Sequence, residues 1–116
     1  MKENLVVGAT GASGMPLLIQ CLHLLREESD YRVHLILTRG AELTLRQECD
    51  LKPEALGALV EEILPNDAIG AGPASGSWES AGMLVVPCSM KTVAGIGCGY
   101  ADTLLLRAAD VTIKEQ

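Results

Sequence analysis

The chain contains no Phe, one Trp and two Tyr among its 116 residues, so its core must be built from aliphatic side chains and Ala. A chain of this length buries only about 65% of the surface its unfolded form exposes, which leaves such a core little reserve. Basic residues are also few. Nine Lys plus Arg stand against fifteen Asp plus Glu, for a net charge of −6. With no basic run and no interleaved aromatics there is no footprint for a phosphodiester backbone, which argues against nucleic acid as a partner. Long apolar runs are missing too. The first stops at Gly8 and the next carries Gln20 and His23, so neither a signal peptide nor a membrane span is expected, and the cytoplasm is the expected location. The four cysteines, Cys21, Cys49, Cys88 and Cys98, include no CxxC pair and lie in or beside apolar segments. They read as reduced, mostly buried thiols. His23 and His34 lack metal-ligand spacing, so no metal is expected, and no Ser-His-Asp arrangement can be assembled.

What is present argues for a folded unit. Hydrophobic residues make up 48% of the chain and mean hydropathy is +0.26, which excludes disorder and fits a single domain over residues 1–116. Residues 5–7 form a short apolar run of the kind seen in buried parallel strands. Gly8-Ala9-Thr10-Gly11-Ala12-Ser13-Gly14 turns out of it. A helix is expected next, with Ser13 as its N-cap, Pro16 in its first turn and Leu18, Cys21, Leu22 and Leu25 on one face. A second strand over residues 33–37 leads through Thr38-Arg39-Gly40 into a helix ending near Gln47. Pro53 opens a further helical stretch to about Leu64, with Leu56, Leu59, Val60 and Ile63 on one face. Residues 65–82 read as a long Gly-, Ala-, Ser- and Pro-rich loop. A third strand is expected over residues 83–86, then helices from Met90 to about Gly97 and from Ala101 to about Ala109.

Strands alternating with helices point to a parallel sheet whose ligands bind beyond the carboxyl ends of the strands. Three such ends can be named: residues 8–14, 38–41 and 88–92. Each is rich in small or hydroxyl-bearing residues and leads into a helix N-terminus, where unpaired N–H groups and the helix dipole favour an anion such as phosphate. The first turn is Gly-x-x-Gly-x-x-Gly, which is neither the dinucleotide fingerprint nor a Walker loop. Ser89 and Thr92 fit a cap and a first-turn hydroxyl, while Lys91 opposes the helix dipole unless an anionic ligand sits there. Glu48, near a helix end, is unfavourably placed for the same reason and reads from position alone as a solvated side chain. Trp78 fits either a loop anchor or a lid or subunit contact.

Thr10-Gly11-Ala12-Ser13-Gly14, Pro73-Ala74-Ser75-Gly76-Ser77, Pro87-Cys88-Ser89-Met90-Lys91-Thr92 and Arg107-Ala108-Ala109-Asp110-Val111 with Lys114-Glu115 occur in the order found in UbiX-type flavin prenyltransferases. The chain resembles that family from about Leu5 to Glu115. The group includes the small flavoprotein components of phenolic-acid decarboxylase systems. Related cysteine decarboxylases usually carry Pro-Ala-Ser or Pro-Ala-Asn in the third motif, so Cys88 and Lys91 favour the prenyltransferase branch.

The resemblance implies a Rossmann-like (flavodoxin-like) three-layer αβα fold lacking the family's C-terminal strands. It implies metal-independent transfer of a dimethylallyl group from dimethylallyl monophosphate to reduced FMN, and delivery of the prenylated flavin to a UbiD-type aromatic-acid decarboxylase. By the same resemblance Gly11, Ala12, Ser13, Thr38, Ser89, Met90, Lys91 and Thr92 contact FMN, with Thr38 standing where the family usually has Ser. Ser13 and Glu48 match residues the family uses in the chemistry, Glu48 handling protons around the flavin N5 and the departing phosphate. Family members form trimers and dodecamers, so a homo-oligomer is expected. Relatives continue past Lys114-Glu115 into a further strand, a flavin-contacting Arg and the residues that grip the prenyl phosphate. Two other readings stay open: a non-catalytic FMN-binding accessory module or inactive fragment, and a cysteine-decarboxylase-type flavoprotein.

Overall fold

The strand that opens the chain is apolar on both faces because helices cover both sides of the sheet. In a computed structural model describing residues 2–115, β1 (Asn4–Ala9) is followed by α1 (Met15–Glu28), β2 (Arg32–Leu37) and α2 (Arg39–Cys49). Next come a 3-10 helix (Pro53–Leu59), β3 (Glu62–Pro65), a 3-10 turn (Gly72–Ala74), β4 (Met83–Val85), α3 (Met90–Gly97) and α4 (Leu104–Glu115). The strands form one parallel sheet in the order β3-β2-β1-β4. This is the expected flavodoxin-like, three-layer α/β arrangement.

Alternate residues of the central strands feed two cores. Leu5, Val7 and Ala9, with Val33, Leu35 and Leu37, pack against Leu18 and Leu22 of α1 and Leu45 of α2. Val6 and Ile36 face the opposite layer, meeting Leu104, Leu105 and Ala108 of α4. Gly8 belongs to that second face for a steric reason: a Cβ there would lie 2.9 Å from Leu105 Cδ1. The sheet therefore reads as continuously hydrophobic rather than alternating.

Several expectations need correction. The stretch expected to be helical to Leu64 is a 3-10 helix that ends at Leu59, followed by the strand β3. Both Val60 and Ile63 still pack on the first core, so the apolar positions were right and the period was wrong. The strand expected third is therefore the fourth, and it ends at Val85. The last helix starts at Leu104 and runs to Glu115 rather than spanning residues 101–109. Asn66 explains that start, since its carbonyl accepts from Leu104 N and its Oδ1 from Leu105 N. The thiols are less buried than expected: Cys21, Cys49 and Cys88 are partly exposed and Cys98 is exposed, all four unbridged. Trp78 packs on the second core with its ring 4.9 Å from that of His34, as a loop anchor. No helix among the described residues is long and apolar enough to cross a membrane.

Candidate functional site

The strand order changes direction once. Crossovers from β1 through β2 to β3 run one way, and β4 then returns to the other side of β1. In sheets of this kind ligands occupy the crevice beyond the strand ends at that switch point. Here the turn after β1 lies between the turns after β2 and β4, so the three segments named from sequence meet at one edge.

The α2 helix holds the first turn along a single face. Gly40, Thr44 and Glu48 recur every four residues and so stack on one side of the helix. Gly40 allows backbone contact, because a Cβ there would lie 3.2 Å from Gly11 Cα. Thr44 Oγ1 donates to the Gly11 carbonyl at 2.9 Å. Glu48 then takes the end of the turn: its Oε2 accepts from Ser13 Oγ at 2.6 Å, and its Oε1 accepts from Met15 N at 2.9 Å and Gly14 N at 3.1 Å.

Two expectations change as a result. Ser13 does not cap α1; the N-cap position is Gly14, which has no capping side chain. The anion at the α1 N-terminus is the Glu48 carboxylate, so that terminus is filled from within and offers no seat for phosphate. Glu48 is exposed, yet it is more than a solvated side chain. The Ser13 hydroxyl, followed by the Met15 and Gly14 amides, holds its carboxyl below the ordinary 4.5, since hydrogen bonds to a carboxylate favour its charged form.

The other two turns share one design. Thr38 caps α2 by accepting from Ala41 N, and Ser89 caps α3 by accepting from Thr92 N. Each helix is left with two first-turn amides that have no intrahelical acceptor, those of Arg39 and Gly40 and those of Met90 and Lys91. Each also places one cation there, Arg39 or Lys91, with no ion-pair partner among the described residues. Thr92 Oγ1 lies 3.0 Å from Ser89 Oγ. Met90 is 80% exposed, so its side chain is free for a ligand or another chain. Together with Gly11 and Ala12 in the first turn, these groups form an open rim of donors and positive charge.

A cavity of about 690 Å³ beside the ends of β2 and β3 reaches the second turn at Arg39 and is otherwise lined by Glu42, Asn66 and Asp102 among others. A cavity of about 580 Å³ at the opposite, amino-terminal end of the sheet is lined by Lys2, Asn4, Arg32 and Trp78, and touches none of the residues named for the site. His34 is buried near that end, between Glu62 and Asn4, as a packed residue. Cys88 lies beside the third turn, where burial pushes its thiol pKa up, so it is not an activated nucleophile. Thr44 and Thr10 were missed in the sequence. The four-residue spacing of Gly40, Thr44 and Glu48 was the available signal for the first of them.

The family model for flavoproteins matches residues 1–116. The chain belongs to the flavoprotein family. Within it the chain is 46% identical over 112 residues to a probable UbiX-like flavin prenyltransferase of Sedimentibacter hydroxybenzoicus, covering 97% of this chain and 59% of that protein. It is also 46% identical over 114 residues to a flavin prenyltransferase of Lactiplantibacillus plantarum, covering 98% and 61%. The crystal structure of AnUbiX in complex with FMN and dimethylallyl pyrophosphate superposes with a TM-score of 0.94 at 40% identity, over 99% of this chain and 61% of that one. This flavoprotein chain thus spans about three fifths of the length of the curated relatives it matches. The FMN-dependent cysteine decarboxylase TvaF shares the fold at a TM-score of 0.76 but only 17% identity.

The donor set fits FMN. A flavin mononucleotide presents a phosphate and ring acceptors, and the rim presents amides, hydroxyls and two cations. Gly11 and Gly40 let the first turn and α2 touch backbone to backbone, because a Cβ on Gly11 would lie 3.1 Å from Gly40 Cα and one on Gly40 3.2 Å from Gly11 Cα.

Proposed function

We propose that this chain binds FMN across the three turns and serves transfer of a dimethylallyl group from dimethylallyl monophosphate to reduced FMN. The observation that carries the reading is the Ser13–Glu48 pair, set at the sheet's switch point and flanked by two capped helix starts that each bear first-turn amides and one cation. Similarity to flavin prenyltransferases, and to a structure holding FMN with a dimethylallyl phosphate ester, supports it. Gly11, Ala12, Thr38, Ser89, Met90, Lys91 and Thr92 are proposed flavin contacts, with Ser13 and Glu48 the proposed catalytic pair. A UbiD-type decarboxylase is the proposed recipient of the prenylated flavin. A homo-oligomer in the cytoplasm is the proposed setting; one structural relative is a dodecameric FMN-dependent UbiX-like protein of Escherichia coli O157:H7, and four unbridged thiols suit a reducing compartment.

Reduced FMN, when bound, would supply the electron-rich ring atoms to which the dimethylallyl carbon attaches as its bond to the ester oxygen breaks, the electron pair leaving with inorganic phosphate. The chain's own groups manage protons and charge. Ser13 Oγ donates its proton to Glu48, which leaves the oxygen lone pairs free to accept a proton from the ligand. Because Glu48 is held ionised at neutral pH, it draws the Ser13 proton as that second proton arrives, which makes the pair a general base with a hydroxyl tip. Lys91, Arg39 and the first-turn amides beside them balance phosphate charge.

The test is anaerobic incubation of the chain with reduced FMN and dimethylallyl monophosphate, followed by mass analysis of the flavin. The expected product is a flavin heavier by one dimethylallyl unit less a proton, with Ser13→Ala and Glu48→Gln slowing its formation about 100-fold. FMN binding without product would replace the proposal with the accessory-module reading. Absence of binding would end both.

A further inference from the structure

We propose that Thr10 is a positioning residue that fixes the spacing between the two halves of this site, acting through Ser89; its effect on flavin rests on the reading above. Thr10 stands between β1 and the Gly11-Ala12-Ser13 turn and is 2% exposed. Its hydroxyl is used in both directions. Oγ1 donates to the Pro87 carbonyl at 3.0 Å and accepts from Ser89 N at 2.7 Å, while Thr10 N donates to the same carbonyl at 3.0 Å. One residue, through its amide and its hydroxyl, thereby closes the gap between the exits of β1 and β4 across the switch point.

Ser89 is the residue on which α3 begins. Its Oγ caps Thr92 N and its carbonyl accepts from Val93 N, so the direction of the Met90 and Lys91 amides follows from where Ser89 is held. Backbone bonds between the two exits reach only as far as the Pro87 carbonyl, which accepts from Thr10 N, and Ser89 N is held by the Thr10 side chain. The pairing of β1 with β4 ends at Gly8 and Val85, and beyond it Val86 N bonds to the Gly8 carbonyl. Past that point the bonds at Thr10 carry the connection. Replacing the hydroxyl with a methyl group of the same shape keeps the packing and removes the acceptor from Ser89 N, a loss that corresponds to about tenfold to hundredfold in the opening of that contact.

The experiment compares the whole chain with Thr10→Val, Thr10→Ser and, as a control for losing a threonine hydroxyl elsewhere, Thr112→Val, whose Oγ1 bonds the Ala108 carbonyl on α4. Three quantities are read: FMN affinity from flavin fluorescence, thermal midpoint, and hydrogen exchange at the Ser89, Met90 and Lys91 amides without flavin. Thr10→Val is expected to weaken FMN binding at least tenfold and to speed Ser89 exchange by a similar factor. Thr10→Ser should restore both, and Thr112→Val should change neither. A merely structural role would lower the midpoint and leave affinity of the folded fraction unchanged. Wild-type affinity and wild-type Ser89 exchange in a folded Thr10→Val would overturn the proposal. If the wild-type chain binds no FMN, the flavin reading fails and the exchange data alone decide whether Thr10 positions Ser89. If Thr10→Val does not fold, Thr10→Ser decides: restored exchange and binding support the role of the hydroxyl, and their loss contradicts it.

Discussion

Glu48 occupies one of the three helix N-termini at the sheet edge that strand–helix alternation left open to phosphate. Its carboxyl is held below 4.5 by bonds that exist only in the fold, so the unfolded chain binds that proton more readily than the folded one. The resulting stabilisation is complete above about pH 4.5 and is lost as pH falls through the lowered value. Glu48→Gln should therefore shrink the drop in thermal midpoint between about pH 6 and about pH 3; an unchanged drop would show that the carboxylate adds nothing. Ser13 and Ser89 could be picked out from the sequence because motif and helix-start chemistry mark them, whereas position marked Glu48 as a solvated side chain and only the family resemblance gave it a role. The roles of Thr10 and Thr44 could not, since a threonine hydroxyl finds its partner only after distant segments meet. Thr10 bonds to Pro87 and Ser89, more than seventy residues away in the chain. The expectation that Ser13 caps α1 failed for a related reason: a long-range carboxylate claimed its hydroxyl.

At the scale of elements, periodicity found β1, α1, β2 and α2, and it failed between Pro53 and Pro65. Leu56, Leu59, Val60 and Ile63 satisfy a helical stripe, yet a 3-10 turn followed by a short parallel strand buries the same positions. Short apolar runs do not distinguish the two, and pairing with β2 decides the outcome. The α4 helix offers a direct test of the packing account. Leu105 is 1% exposed and touches the space left by Gly8, whereas Ile113 on the same helix is 64% exposed. Leu105→Ala should cost about 2–5 kcal/mol in denaturant unfolding. Ile113→Ala should stay within about 0.5 kcal/mol, and equal effects would contradict the assignment of α4 to the second core. A larger side chain at Gly40 should act on the site instead. Gly40→Leu is expected to push α2 from the first turn and weaken FMN binding at least tenfold, by the close-packing argument that makes inserted volume costly, as read by titration.

At the scale of the whole molecule, parallel order and the placement of three turns at one edge followed from strand–helix alternation, while the order β3-β2-β1-β4 required the pairing itself. Among the described residues β4 pairs only with β1, leaving its other edge open, with Leu84 43% exposed. Open edges recruit other strands. Titration of the amide-labelled chain with FMN locates the flavin, which is proposed to lie across the turns after β1, β2 and β4. Shifts are expected at Gly11, Ala12, Ser13, Arg39, Gly40, Met90 and Lys91, with the Trp78 indole unmoved at the opposite end of the sheet. Shifts centred on Trp78, Asn4 and Arg32, or none at all, would contradict it.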